Sequence, residues 1–176
     1  MLRLFLLRHA EADSPSRVDD FDRVLTRYGR EETAFIANYM VIENYKPDLV
    51  FVSAAKRTRE TFDILNSIVG GFKFEIREQL YNASFGKMLG AARNTDTAIK
   101  SLMIIGHNPA IAELGMALID QAKSNPAAMN HLSQGYPPAG LAVFNLKIDS
   151  WANIEMGQGN LRQFITPKVL GGVDEG

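Results

Sequence analysis

Three short apolar runs, each followed at once by polar side chains, are the sequence feature that most constrains how this chain can fold. The runs are Leu2–Leu7, which is interrupted only by Arg3, Leu49–Val52 and Leu102–Ile105. Solid runs of this kind are typical of strands covered on both faces, as in parallel sheets, whereas half-exposed strands alternate apolar and polar residues. The three runs are therefore predicted to be buried strands.

Between the runs, apolar residues recur at spacings of three and four, which predicts helices. The first helix is expected to begin after Thr26, whose side chain is typical of an N-cap, and to end before Pro47. We predict further helices at Ala54–Ile68, Ser84–Lys100 and Ile111–Ala122, and further strands at Phe72–Ile76, Leu141–Ile148 and Leu161–Ile165. The predicted loops are Asp13–Arg23 and Ser124–Pro138, the second with room for one short helix.

Strands that alternate with helices indicate the α/β class. We predict a three-layer architecture, with a mainly parallel central sheet and helices on both of its faces. The chain has 176 residues and shows no internal repeat, low-complexity tract or linker. It is therefore expected to form one domain over residues 1–176.

Composition excludes several classes of function. The 19 basic and 20 acidic residues give a net charge of −1, so no overall field favours nucleic acid or an anionic membrane. The chain has no cysteine, which excludes disulfides and thiolate zinc sites and fits a reducing cytosol, so we expect a cytoplasmic protein. No apolar stretch is as long as the roughly 18 residues that a membrane-spanning helix needs.

Polar side chains follow each of the three predicted strands at its carboxyl end. Arg8 and His9 follow the first strand, Ser53 and then Arg57 follow the second, and Gly106-His107-Asn108 follow the third. In open α/β sheets ligands bind in the crevice outside the carboxyl ends of the strands. We therefore expect two arginines and two histidines to share one rim.

Two guanidiniums and two imidazoles aimed at one point would form a pocket for a tetrahedral dianion such as a phosphoryl group, because guanidinium forks match phosphate oxygens and keep their charge. Binding alone would not need an imidazole beside the anion. A neutral imidazole, however, is a nucleophile toward phosphorus, and surrounding cations lower its pKa so that its lone pair stays free. His9, His107 and Glu11 could also ligate a metal, but the two guanidiniums would repel it, so neither a metal nor a cofactor is expected.

Five short segments, in order along the chain, form a set of motifs. They are LLRHAEA from Leu6, Leu25-Thr26 followed by Gly29, SAAKRTRET from Ser53, IGHNP from Ile105 and FITPKVL from Phe164. Together they resemble the motifs of the histidine phosphatase superfamily, and the small size and closing segment are similar to its SixA-type phosphohistidine phosphatases. The chain departs from the usual pattern at Ala10, where the family has glycine, and at Ala54, where it often has proline.

The resemblance implies a role for each residue of the rim. His9 would be the nucleophile that becomes phosphorylated, and Arg8, Arg57 and His107 would hold the phosphoryl group. Asn108 is expected to line the same site as a phosphate or substrate contact.

The motifs do not identify the residue that would donate a proton to the leaving group. Larger members of the superfamily use an acidic residue after the second strand to protonate the leaving oxygen, and the corresponding residue here is Gln79, whose amide cannot donate that proton. Glu78, one position away, and Glu11, two residues after His9, are the candidate donors. A weak or missing acid disfavours alkyl phosphate esters, but it matters less for phosphohistidine, whose leaving nitrogen can arrive already protonated.

From these residues we expect a metal-independent phosphatase that acts through phosphorylated His9. Its partner would be a phosphorylated protein, with phosphohistidine as the first substrate to consider, or a small phosphorylated molecule. The alternatives are a phosphatase of small phosphate esters, a mutase-like enzyme and, from a different class, a non-catalytic phosphate-binding module. The intact His9 disfavours the last alternative, since binding alone would tolerate its loss.

Overall fold

A six-stranded sheet runs through the middle of the computed structural model, which describes residues 1–14 and 18–171. The strands are β1 (Leu2–Arg8), β2 (Leu49–Ser53), β3 (Lys73–Arg77), β4 (Ser101–Gly106), β5 (Leu141–Leu146) and β6 (Gly159–Ile165). Their order across the sheet is β3-β2-β4-β1-β5-β6. The first four strands are mutually parallel, while β5 runs antiparallel to β1 and β6 antiparallel to β5. The predicted α/β class and mainly parallel sheet are confirmed.

Helices cover both faces of this sheet. They are α1 (Arg27–Ile42), α2 (Lys56–Ile68), α3 (Phe85–Arg93), α4 (Ala110–Leu118) and α5 (Pro126–Ser133). Helices α1 and α2 pack on one face, where Ile36 and Leu65 join the same apolar cluster as Leu7 of β1. Helices α3, α4 and α5 pack on the other face, where Leu114 belongs to the same cluster as Leu6. The predicted three-layer arrangement follows from these two clusters.

The central strand β1 shows why its sequence is a solid apolar run. Leu4 and Leu6 point into the core beneath α3 to α5, whereas Phe5 and Leu7 point into the core beneath α1 and α2, and all four are buried. Because successive side chains of a strand point to opposite faces, a strand with a helical layer on each side needs apolar residues at every position. β1 is thus held rigidly up to its last residue, Arg8.

The start of α1 is joined closely to the segment that follows β1. The Thr26 hydroxyl accepts a hydrogen bond from the Gly29 amide at 2.9 Å, which confirms Thr26 as the N-cap. A Cβ at position 29 would lie only 2.1 Å from the Glu11 carbonyl oxygen. Only glycine therefore lets the backbone after His9 pack this closely against the helix.

Two predicted helices end earlier in the structure than the apolar spacing suggests. Helix α3 stops at Arg93 rather than continuing to Lys100, because the backbone amides of Lys100 and Ser101 donate to the Asp48 carboxylate and the chain straightens into β4. Helix α4 stops at Leu118 rather than Ala122, because the following residue bridges to Gly159 at the start of β6. In both cases a contact distant in sequence overrides the local pattern.

Both predicted loops contain short helical segments. The second holds α5, whose N-cap Asn125 accepts hydrogen bonds from the Ala127 and Ala128 amides. The first has a single turn of 3₁₀ helix at Asp20–Asp22 in its described part. No helix in the described parts of the chain is both long and apolar enough to cross a membrane.

Candidate active site

A cavity of about 770 Å³ opens at the carboxyl ends of β1, β2 and β4, which are neighbours in the sheet. Its wall includes His9 after β1, Arg57 in the first turn of α2, and His107 after β4. Arg8 and Asn108 complete the set of predicted residues that meet there. The parallel order of these three strands brings together side chains that are up to 100 positions apart in the chain.

The His9 imidazole is held in one tautomer. Its Nδ1 lies 2.7 Å from the Ala10 carbonyl oxygen, which can only accept, so Nδ1 carries the proton and Nε2 carries the lone pair. Burial, assisted by the nearby His107, Arg57 and Arg8, lowers the pKa of His9 to about 3. His9 is only 7% exposed. At neutral pH it is therefore an uncharged imidazole whose Nε2 is unprotonated.

The Arg57 guanidinium faces that lone pair. Its Nε–H donates to His9 Nε2 at 3.3 Å, and its side chain is buried. The other end of the guanidinium donates to the Asp20 carbonyl oxygen at 2.6 Å and to the Asp20 carboxylate at 3.2 Å. Arg57 is thus fixed at both ends, with its positive charge beside the nitrogen that would attack a phosphorus atom.

Asp20 is itself held by three groups. The Tyr81 hydroxyl donates to its Oδ2 at 2.6 Å, and Arg23 forms an ion pair with its Oδ1 at 2.9 Å. The hydrogen bond from Tyr81 lowers the pKa of Asp20 to about 2, with help from Arg57 and Arg23. Asp20 therefore remains ionised at neutral pH and acts as a fixed anchor for Arg57.

His107 lies beside His9 in the lining of the cavity. Its ring lies 5.1 Å from the His9 ring between centroids, and its Nε2 lies 2.7 Å from the Ser53 hydroxyl at the end of β2. Burial, with the charge of Arg57 acting in the same direction, lowers the pKa of His107 to about 4, so this imidazole is also neutral at physiological pH. When the Ser53 hydroxyl donates to Nε2, the ring proton of His107 sits on Nδ1.

Three buried polar atoms on this wall have no hydrogen-bond partner in residues 1–14 and 18–171: Arg8 Nε, His107 Nδ1 and Asn108 Oδ1. Arg8 and Asn108 each donate through another nitrogen to the Tyr136 carbonyl oxygen, at 2.9 and 3.0 Å. Buried polar atoms are ordinarily paired, so these three atoms carry hydrogen-bonding capacity that the described residues leave unused. Two of them suit phosphoryl oxygens as donors, whereas the Asn108 oxygen accepts and suits an N–H group or a water molecule.

Only one of the two predicted proton donors is among the carboxylates of the cavity. Glu11 lines the cavity, but Glu78 lies in a 3₁₀ turn directly after β3 and is not among the residues that line it. Asp20 and Glu113 line it as well, and the sequence motifs did not single them out. The described parts of the chain contain no cluster of three or more histidine, cysteine or acidic side chains placed to hold a metal ion.

Asp20, Arg23 and Tyr81 are the residues that sequence reasoning missed. They come from two loops and meet Arg57 only through the folded structure, with Tyr81 also 5.8 Å from the His107 ring between centroids. A weak signal existed in the acidic pairs of the loop that follows β1, since a buried arginine needs a partner. Nothing in that signal distinguished Asp20 from Asp19 or Asp22.

Comparison with known proteins agrees with this geometry. A model of the histidine phosphatase superfamily (branch 1) matches residues 4–104. Among curated proteins, uncharacterized proteins of Mycobacterium tuberculosis and Mycobacterium leprae are each 26% identical to this chain, covering 92% of it and all of the relative. These relatives extend the similarity beyond the matched region, to nearly the whole chain.

Two solved structures of SixA proteins, both named as candidate phosphohistidine phosphatases, are similar in fold. The protein of Nakamurella multipartitia is 25% identical, with a TM-score of 0.82, covering 94% of this chain and 96% of that one. The protein of Agrobacterium tumefaciens is 30% identical, with a TM-score of 0.76, covering 94% and 98%. Since the family model spans more than half of the chain and the SixA folds nearly all of it, the chain belongs to the histidine phosphatase superfamily, as a phosphatase of the SixA type.

Proposed function

We propose that this phosphatase hydrolyses phosphohistidine in proteins, with His9 as its nucleophile. The proposal for the nucleophile is supported by the lone pair on His9 Nε2, which lies inside the cavity beside Arg57. Arg8 and His107 place further donors on the same wall. A neutral nucleophile surrounded by cations suits phosphoryl transfer, where most of the catalysis is positioning and stabilisation of charge.

In the first step, the Arg57 Nε–H turns from His9 Nε2 to a phosphoryl oxygen of the substrate, and the lone pair that this releases on Nε2 attacks phosphorus. A bond forms between Nε2 and phosphorus while the bond from phosphorus to the substrate imidazole breaks, and the electron pair of that bond leaves with the substrate nitrogen. Because the substrate ring can carry a proton on its other nitrogen, it departs as neutral imidazole. Arg57, Arg8 and His107 donate to the three phosphoryl oxygens as their charge is redistributed.

In the second step, water attacks the phosphorus of phosphorylated His9. The proton on Nδ1 stays in its hydrogen bond to the Ala10 carbonyl, so His9 also departs as a neutral imidazole when the bond to phosphorus breaks. The proton of the attacking water passes to the released phosphate or to solvent. Asn108 lines the cavity in which this water attacks, and its Oδ1 is an acceptor without a partner among the described residues.

The choice of phosphohistidine over phosphate esters rests on the state of the carboxylates. An alkoxide leaving group needs a proton from a nearby acid, whereas an imidazole does not. The carboxylate that contacts Arg57, Asp20, has a pKa of about 2 and is ionised at neutral pH, so it cannot supply that proton. Glu78 stands outside the cavity lining, and position 79 carries an amide.

A second candidate, a phosphatase of small phosphate esters, is favoured by one observation. Glu11 and Glu113 both line the cavity, and either carboxyl group could protonate an ester oxygen if the substrate reached it. This candidate shares the His9 nucleophile with the first and differs from it only in the leaving group.

The two candidates are separated by comparing kcat/KM for a phosphohistidine peptide, para-nitrophenyl phosphate and glycerol phosphate. We expect the phosphohistidine peptide to be the best substrate and the alkyl ester the poorest, because only the ester needs an acid. Replacing the nucleophile, His9→Ala, should lower every rate by about four orders of magnitude, whereas the matched change His131→Ala, outside this cavity, should not. A preference for glycerol phosphate would favour the second candidate, and turnover that survives in His9→Ala would contradict both.

A further inference from the structure

A second polar cleft, of about 390 Å³, lies at the opposite end of the sheet from the active site. Arg3, the second residue of β1, lines this cleft. Arg8, the last residue of the same strand, lines the catalytic cavity. Five residues of extended strand separate the two positions, which corresponds to about 16 Å. The second cleft is therefore a separate site rather than an extension of the first.

Two arginines in this cleft have no acidic partner. Among the described residues, no carboxylate oxygen lies within 4 Å of the guanidinium of Arg3 or of Arg162, although the exposed Glu43 stands on the rim. Arg3 is fixed in place, because its Nε–H donates to Asn145 Oδ1 at 3.1 Å and its guanidinium lies 5.6 Å from the centroid of the Tyr45 ring. An oriented guanidinium without a counter-ion is suited to receive an anion.

Both guanidiniums also act on the same hydroxyl. Burial and the charge of Glu43 raise the pKa of the Tyr45 hydroxyl, while the charges of Arg3 and Arg162 act in the opposite direction. Arg3 and Arg162 both line the cleft, with Tyr45 among the residues that line it with them.

The neighbouring amide side chains have their oxygens occupied by the fold. Asn145 Oδ1 accepts from Arg3, and Gln163 Oε1 accepts from the hydroxyls of Tyr39 and Tyr45, both at 2.7 Å. Asn125 Oδ1 accepts from two backbone amides of α5. Since each amide oxygen is engaged, the NH₂ group is the end of the side chain that remains for a ligand. The cleft thus offers two guanidiniums and three amide donors.

We propose that this cleft binds the phosphate group of a small molecule, at a site distinct from the catalytic one. Clustered donors with arginine forks match the oxygens of a phosphate, and the lining side chains, except that of Val143, are polar. No histidine, serine or threonine lines this cleft, and the Tyr45 hydroxyl, whose pKa is raised, donates to Gln163, so the cleft holds no nucleophile activated by a neighbouring base. It binds its ligand and does not hydrolyse it.

The proposal is tested by NMR titration of the full chain carrying His9→Ala, which prevents turnover. Titration with inorganic phosphate should shift two separate groups of backbone amide signals, one near Gly106 in the catalytic cavity and one at Asn145 and Gln163. Adding Arg162→Ala, a change at an exposed side chain, should weaken the phosphate binding reported by Asn145 and Gln163 at least about tenfold. The binding reported by the signals near Gly106 should not change. The matched control Arg27→Ala, at a 94% exposed arginine on α1, should change neither.

A parallel titration with ribose 5-phosphate distinguishes the source of the phosphate group. Tighter binding than inorganic phosphate at Asn145 and Gln163 would identify a phosphorylated organic molecule as the ligand, and equal binding would identify free phosphate. The proposal is overturned if the Asn145 and Gln163 signals do not shift with either compound, or if their shifts are the same with and without Arg162→Ala. These signals report the second cleft alone, so the result does not depend on whether the chain hydrolyses phosphohistidine.

Discussion

The two walls of the catalytic cavity are built differently. The strand-end wall, made of His9, Arg57 and His107, follows three neighbouring strands and is largely buried. The loop wall comes from the segment after β1, where Asp20 and Arg23 line the cavity and the Asp20 side chain is 45% exposed. Tyr81, from the segment after β3, does not line the cavity but donates to Asp20 and helps to hold this wall. The strand-end wall carries the proposed nucleophile and the side chains proposed to hold the phosphoryl group, whereas the loop wall holds one of the latter, Arg57, in place.

This difference indicates a division of labour between the buried and the exposed parts of the site. Burial on the strand-end wall keeps both imidazoles neutral at physiological pH. The loop wall cannot use burial in this way and instead uses charge, since an ionised Asp20 is bound by Arg57, Arg23 and Tyr81. Changes to the first wall should therefore affect the chemical step far more than changes to the second.

The largest effect within this comparison is expected at Arg57. Arg57→Ala removes the cation beside His9 Nε2, and we expect kcat/KM for the phosphohistidine peptide to fall by about two to three orders of magnitude. Arg57→Lys should recover only a small part of this loss, because lysine is a point charge that cannot span His9 and Asp20 together. Rates within tenfold of the parent for Arg57→Ala would show that this wall does not hold the phosphoryl group.

A smaller effect is expected on the loop wall. Asp20→Asn keeps the shape of the side chain but removes its charge, so Arg57 loses its ion-pair partner, and we expect kcat/KM to fall about tenfold. The neighbouring change Asp19→Asn serves as the control and should leave kcat/KM unchanged. An increase in kcat/KM for Asp20→Asn would contradict the comparison, because it would mean that Asp20 competes with substrate for Arg57 instead of positioning it.

A smaller effect still is expected at Glu78. Because Glu78 does not line the cavity, Glu78→Gln should change kcat/KM for every substrate by no more than about twofold. Glu113→Gln, on the cavity wall, is the informative comparison and should lower only the hydrolysis of alkyl esters. A large loss in Glu78→Gln would show that the loop after β3 moves Glu78 into the cavity during turnover.

The smallest effect is expected when the pH is lowered, because the charge of the His9 ring should not change. With a pKa of about 3, less than about one per cent of His9 is protonated at pH 5.5, whereas an ordinary histidine would be mostly protonated there. Lowering the pH from 7.5 to 5.5 should therefore leave the His9 ring neutral. NMR titration of the ring nitrogens measures this directly, and a midpoint near 6.5 would contradict the description of the strand-end wall.

The same contrast explains what the sequence could predict. Residues of the strand-end wall follow solid apolar runs, and the geometry of a parallel sheet brings the ends of such runs together, so His9, Arg57 and His107 could be placed at one rim without coordinates. The contact between Asp20 and Arg57 joins positions 37 apart through a loop with no periodic pattern. Local spacing carries no information about such a contact.

The fold shows the same limit. Strand positions and the α/β class followed from the pattern, but the antiparallel direction of β5 and β6 did not, since the direction of a strand leaves no mark in its own composition. The early end of α3 at Arg93 depends on Asp48, which lies before β2 and receives the amides of Lys100 and Ser101. Each of these features depends on partners distant in sequence.

The central claim is that the nitrogen of His9 forms a covalent bond to phosphorus during turnover. Its most direct test is to incubate the protein with a labelled phosphoryl donor, quench rapidly, and locate the label by mass spectrometry of peptides. We expect one label, labile in acid and stable in alkali, on residue 9, and no label in His9→Ala. Absence of any label in the parent chain, or a label that persists in His9→Ala, would contradict the account.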